Sequence, residues 1–204
     1  MEGNILIANR FHKALTYEQY IERTKVKVLT SEATQFDEAL LEKFEYSRLN
    51  LQRSLRIDKT YTVSPELKSI TSSLPQEHLW IVITEDWCGD SAQNLPHIAK
   101  IAATSSKIEL AILLRDENTD IIDEYLTNGT RSIPKLIGFD RSWNEFYRWG
   151  PRPKALQELF LRLKSEAMPK EKIYESLQTW YNHDHGKELE REFRKMLTPF
   201  LVQP

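Results

Sequence analysis

The residues with the clearest chemical potential are Trp87-Cys88-Gly89-Asp90-Ser91, which hold the only cysteine of the 204-residue chain. They lie between an apolar run, Leu79-Trp80-Ile81-Val82-Ile83, and a helical pattern that starts near Ser91 and runs on through Pro96. Such a run reads as a buried strand, so Cys88 stands at a strand-to-helix junction. A thiol at the first turn of a helix faces backbone N–H groups that have no intrahelical partner, together with the positive end of the helix dipole. Both favour thiolate, the form that attacks a disulfide. A lone cysteine is more often a small buried apolar residue; here the Trp-Cys-Gly context and the polar residues on either side argue for the reactive form. With no second cysteine, an intramolecular disulfide is impossible. The carboxylates of Glu85, Asp86 and Asp90 pull the other way, against negative charge on sulfur.

Two further clusters carry ligand-type side chains. His183-Asp184-His185 offers two imidazoles and a carboxylate, but adjacent positions rarely close around one ion without a distant partner. The segment is read as a polar helix–helix connection, and His97 as a partly exposed helix residue rather than a base. No metal site and no cofactor is expected.

The elements that must position Cys88 follow from periodicity. A strand at 79–84 leads to a helix at about 90–104, then a strand Ile108–Leu114 and a helix at about 118–127 that ends in the C-cap signal Asn128-Gly129. Strands 135–139 and 145–149 are joined at hairpin length by Asp140–Asn144, and a helix from Pro153 to about Glu166 closes the unit. That order, β-α-β-α-β-β-α, is a two-layer α/β arrangement with a mixed sheet, parallel at the helical crossover and antiparallel at the hairpin. Residues 16 to about 75 are charged, almost free of Gly and Pro, and read as helical. Thr16 and Ser31 are candidate N-caps, the latter followed by Thr34 and Gln35, and a short helix follows Ser64-Pro65-Glu66. Apolar residues recur there at helical spacing, among them Tyr17, Tyr20, Ile21, Phe36, Ala39, Leu40, Phe44, Leu49, Leu51 and Leu55, and the aromatic ones are expected to face the core. Two more helices are expected at 171–182 and 188–201. The expected organisation is a helical part at 1–75, a central domain at 76–167 and a helical C-terminal part at 168–204.

Composition narrows the function classes. Hydrophobic residues make up 40% and charged residues 28% of the chain, ordinary for a soluble globular protein. The formal net charge of −2 gives no electrostatic reason to expect nucleic acid or an anionic membrane as partner. No run approaches the ~18 apolar residues of a membrane span, and the N-terminus lacks a signal-like apolar region. A cytoplasmic location is expected, and Asn128-Gly129-Thr130 then reads as a turn rather than a glycosylation site.

With this element order in place, the chain resembles the thioredoxin superfamily. Trp87-Cys88-Gly89-Asp90-Ser91 lies where thioredoxins carry Trp-Cys-Gly-Pro-Cys, and Pro96, eight residues after Cys88, matches the proline that kinks the active-site helix. Arg131-Ser132-Ile133-Pro134 matches the segment containing the family's cis-proline, and Gly150, sixteen residues after Pro134, matches a glycine that faces the thiol. The combination of Cys-Gly-Asp-Ser, Ile-Pro-Lys-Leu-Ile and Trp-Gly-Pro-Arg-Pro is similar to a bacterial branch of thioredoxin-like proteins. The resemblance implies a thioredoxin-like two-layer fold with a mixed central sheet and helical extensions at both ends. It also implies a cis peptide bond at Ile133–Pro134, with Pro134 against Cys88.

Two departures shape the chemistry. Ser91 replaces the resolving cysteine, which rules out the intrachain dithiol–disulfide cycle. Val82 stands where thioredoxins usually bury the Asp that serves that second thiol, so the two losses are coherent. The function expected is a monothiol protein in which Cys88 forms a mixed disulfide with a protein or low-molecular-weight thiol or disulfide, resolved by an external thiol. The resemblance implies that Trp87 shields the sulfur and that the Ile133 backbone pairs with substrate beside Pro134 and Gly150. Ser91 either donates a hydrogen bond to the thiolate or caps the helix. A redox-inactive binding or adaptor module on the same fold is the alternative. Iron–sulfur cluster binding through one Cys per subunit is a third, weakened by Asp90 where monothiol glutaredoxins carry Phe.

Overall fold

A computed structural model describes the backbone of residues 2–31 and 36–201. Four strands, β1 (His78–Thr84), β2 (Ile108–Leu114), β3 (Lys135–Phe139) and β4 (Glu145–Trp149), form one sheet in the order β2-β1-β3-β4. β1 pairs parallel with β2 and antiparallel with β3, and β3 pairs antiparallel with β4. Every residue of β1 is buried, as expected of a central strand covered on both faces, which accounts for the unbroken apolar run Leu79–Ile83 within it. Alternate side chains enter two cores. Trp80 and Val82 join Ile112, Leu136 and Trp149 on one face, while Leu79, Ile81 and Ile83 join Ile133, Ile137 and Phe139 on the other.

The described helices are α1 (Glu2–Phe11), α2 (Tyr17–Thr30), α3 (Glu38–Thr60), α4 (Pro65–Ser72), α5 (Gly89–Ala102), α6 (Thr119–Asp123), α7 (Lys154–Ser165), α8 (Lys170–Asp184) and α9 (Lys187–Leu197). α5, α2, α4 and α9 cover the Trp80 face; α1 and α6 cover the other through Ile7, Phe11, Ile121 and Ile122. This is the expected thioredoxin-like α/β fold with a mixed sheet and helical extensions at both ends. None of the described helices is long and apolar enough to cross a membrane.

The C-terminal part contributes to the core. Phe193 of α9 meets Trp80 and Trp149 edge-on, with ring centroids 5.5 and 5.6 Å away, while α7 pairs with α8 through Leu156, Leu163, Ile173 and Leu177.

Several local expectations are corrected. α1 has no counterpart in the periodicity reading. Thr16 caps α2 with a full capping box to Gln19, but Ser31 is the C-cap of α2 and Asp37 is the N-cap of α3. Thr34 and Gln35 lie outside the described residues. On α3 the buried line is Phe44, Ser47, Asn50, Ser54 and Ile57, whereas Leu40, Leu49 and Leu55 are exposed. The face that looks inward is polar because it meets the Cys88 loop rather than an apolar core. α6 is one short turn of helix, and Asn128 and Gly129, both at positive φ, turn the chain between Thr127 and Thr130 instead of capping it. α8 takes in His183 and Asp184 and ends on His185 in the left-handed conformation. Among the described residues no group of three or more His, Cys, Asp or Glu could hold a metal ion.

Candidate functional site

Cys88 is the N-cap of α5, so helix begins at Gly89 rather than near Ser91, and the Cys88 carbonyl accepts the N–H of Ala92 at 3.1 Å. The thiol donates to the Ile133 carbonyl at 3.4 Å, and the Ile133–Pro134 peptide bond is cis, as is Gly150–Pro151. The forty-six residues from Cys88 to Pro134 thus close on one another through the sulfur and the carbonyl preceding the proline. Trp87, Cys88 and Ile133 line one cavity. Gly150, at φ +106°, sits against the Pro134 carbonyl, where a Cβ would stand 2.2 Å from the oxygen. Its role in this arrangement is close backbone approach beside the cis-proline, and it lies outside the cavity lining.

Ser91 occupies the third helical position, so the capping role falls to Cys88 and not to Ser91. Ser91 is 1% exposed and its hydroxyl has no hydrogen-bond partner. It lies close enough to favour a negative sulfur, as do the N–H groups of Asp90 and Ser91. Burial and the Asp90 charge outweigh them, pushing the Cys88 thiol up to about 11. The helix terminus therefore does not by itself make Cys88 acidic.

The carboxylates around the thiol are all engaged. Glu85 is buried and accepts the Asp116 N–H at 2.8 Å; burial raises its carboxyl against that bond. Asp86 accepts from Lys27 Nζ at 2.8 Å and from Ser47 Oγ at 2.7 Å, and its carbonyl accepts from Asn50 at 3.0 Å. α2 and α3 thus hold the turn that precedes the cysteine. Asp90 meets Arg152 at 2.6 Å and accepts from the Tyr181 hydroxyl at 2.8 Å. Burial pushes the Asp90 carboxyl up, against Arg152 and Tyr181, which stabilise its charge. Asn94 reaches Tyr181 at 2.9 Å and Gln93 reaches Gln178 at 3.1 Å, fastening α5 to α8. His97, expected to be partly exposed, is buried beneath the α8–α9 junction, where Gly186 packs on its ring, and burial lowers it to about 4.

The sequence reading gave no role to Arg152, Tyr181, Lys27, Asn50 or Arg53. The one available signal was Asp90 itself: an acid inside a motif that opens a buried helix needs a cation, and Trp-Gly-Pro-Arg-Pro contains one. Trp87, whose role was expected to be shielding, is flanked by Lys43 at 4.9 Å and Arg115 at 4.7 Å from its ring centre.

A protein-family model described as Thioredoxin matches residues 33–170, a span that includes α3, the Cys88 loop, the cis-proline and Arg152. Two solved structures share the fold. An HIV epitope scaffold is 19% identical with a TM-score of 0.56, covering 94% of each chain. A protein of unknown function from Pseudomonas aeruginosa is 16% identical with a TM-score of 0.55, over 91% of this chain and 98% of that one. No curated protein matches the chain. With the family match running through more than half its length and the cysteine loop folded against a cis-proline, this chain belongs to the thioredoxin family.

Proposed function

We propose that this is a monothiol thioredoxin-like protein that exchanges thiols and disulfides through a mixed disulfide on Cys88. The observation that carries the reading is the placement of the Cys88 sulfur at the N-cap of α5, 3.4 Å from the carbonyl that precedes the cis-proline, on a cavity open to solvent. Cys88 as thiolate attacks one sulfur of R–S–S–R′; the Cys88–S–S–R bond forms, the S–S bond of the reagent breaks, and R′–S⁻ leaves and takes a proton from solvent. A second thiol R″–SH, as thiolate, then attacks the R sulfur of the mixed disulfide; R–S–S–R″ forms, the S–S bond from Cys88 to R breaks, and Cys88 leaves as thiolate and takes up a proton. Ser91, its hydroxyl without a partner in the resting state, donates to the thiolate. Trp87, Ile133, Pro134 and Gly150 shape the ground beside it. A thiol held near 11 leaves little thiolate at neutral pH, so exchange is slow there and quickens with alkali.

The test is the intact mass of folded protein incubated with a disulfide at pH 8. One adduct per chain, removed by dithiothreitol and absent in Cys88→Ser, is the expected result. If the folded protein forms none while unfolded protein does, the exchange reading fails and a binding module takes its place.

A further inference from the structure

The cavity beside Cys88, about 620 Å³, has a charge pattern that mixed-disulfide chemistry alone does not require. Six cationic side chains line it, Lys43, Arg53, Arg115, Arg131, Arg152 and Lys170, against two carboxylates, Glu42 and Asp90. Four of the six are matched: Arg152 by Asp90, Arg131 by Asp123, and Arg115 and Lys43 by Asp116. Arg53 and Lys170 have no carboxylate partner among the described residues. Arg53 is half-buried and donates only to the Asn50 side-chain oxygen at 3.0 Å. Its guanidinium reaches over Gly89, 3.8 Å from where a Cβ would stand. That places it beside the first turn of α5, on the cavity that Cys88 also lines, where free N–H groups add to the positive field. Burial and the neighbouring Arg56 both weigh on its charge. A half-buried guanidinium that faces a cavity with no carboxylate partner offers its remaining N–H donors to an anion there.

The walls limit size. α3 stands on one side through Tyr46 and Arg53, and α8 on the other through Tyr174 and Gln178. A volume of this order suits a small molecule. We infer that the cavity selects a low-molecular-weight disulfide whose carrier bears carboxylates, with Arg53 receiving the negative group beside the reacting sulfurs and Lys170 a second one at the mouth. This rests on the exchange reading above and names its substrate class. The covalent step is unchanged: Cys88 takes one half of the disulfide, the other leaves as thiolate, and a second molecule of small thiol regenerates Cys88.

The experiment uses three disulfides of similar size and different charge: dianionic 3,3′-dithiodipropionate, neutral bis(2-hydroxyethyl) disulfide and dicationic cystamine. Adduct formation on the full chain, followed by mass at low salt, is expected to be about tenfold faster for the dianion than for the neutral reagent, with cystamine slowest. The spread should narrow in 1 M salt. Arg53→Gln is expected to lower the dianion-to-neutral ratio about fivefold, and Lys170→Gln by a smaller factor, each variant being checked for native circular dichroism. Rates indifferent to charge overturn the inference and leave exchange standing. Calorimetric titration of Cys88→Ser with 3,3′-dithiodipropionate removes the chemistry from the question. Saturable binding weakened by Arg53→Gln supports the cavity even if the wild-type chain never forms an adduct, in which case the exchange reading alone falls. Absence of binding to Cys88→Ser overturns the cavity assignment.

Discussion

Two aspartates stand symmetrically about the cysteine, Asp86 two residues before and Asp90 two residues after, and the fold treats them differently. Asp86 is the anchor by which α2 and α3 hold the loop, through Lys27, Ser47 and Asn50. Asp90 stays beside the sulfur, tied to Arg152 and to Tyr181 of α8, and it is the carboxylate whose charge raises the thiol. Both helical extensions therefore reach the stretch Asp86–Asp90, one from each side. The N-terminal grip fixes position; the C-terminal grip also sets the electrostatics of the thiol.

The largest expected effect follows from breaking the buried grip. Asp90→Ala leaves Arg152, whose side chain is 13% exposed, without its counter-charge, and should cost about 3–5 kcal/mol of stability in urea denaturation. Asp86→Ala should cost less, about 1–2 kcal/mol, because Lys27 is a third exposed and water screens the loss. Equal costs would break the comparison.

Acid should act through two buried histidines, His97 on α5 and His78 at the start of β1. Burial lowers His97 and His78 to about 4, from an ordinary 6.5. Between those values the unfolded chain binds protons that the native protein refuses, so stability falls as pH drops from about 6.5 toward 4 and is insensitive to these groups above it. The urea midpoint as a function of pH measures this, and His97→Gln should flatten the slope. The smallest effect sharpens the comparison at the sulfur. Ser91→Ala removes a buried hydroxyl that has no partner in the resting state, so stability should hold or rise slightly, while adduct formation slows about three- to tenfold through loss of a donor to the thiolate.

Much of this was legible in the sequence where one rule acted alone. The apolar run Leu79–Ile83 in β1 and the hairpin Asp140–Asn144 follow from local chemistry, while Pro96 within α5 and Cys88 with Ile133-Pro134 followed from the resemblance to thioredoxins. The polar inner face of α3 was not legible, because apolar periodicity points to Leu40, Leu49 and Leu55, which the fold leaves exposed. What that helix meets is a charged loop thirty to forty residues away in the chain, and hydrophobic patterning carries no information about such a partner. His97 was misjudged for a related reason: a helix covered by α3, α8 and α9 as well as by the sheet buries its polar side too. Ser31 followed the preference of serine for N-caps, yet α2 simply runs on to Thr30, and Asp37 does the capping further along.

The account turns on whether Cys88 is a thiol whose reactivity Asp90 restrains. The direct measurement is the rate of mixed-disulfide formation on Cys88 between pH 7 and 11, followed by intact mass, in the wild-type chain, Asp90→Asn and Asp86→Asn. The rate should climb about tenfold per pH unit and level off only near 11, with the midpoint moved down in Asp90→Asn and left in place in Asp86→Asn. A rate already level at neutral pH, a profile indifferent to Asp90, or no adduct on the folded chain at any pH would contradict it.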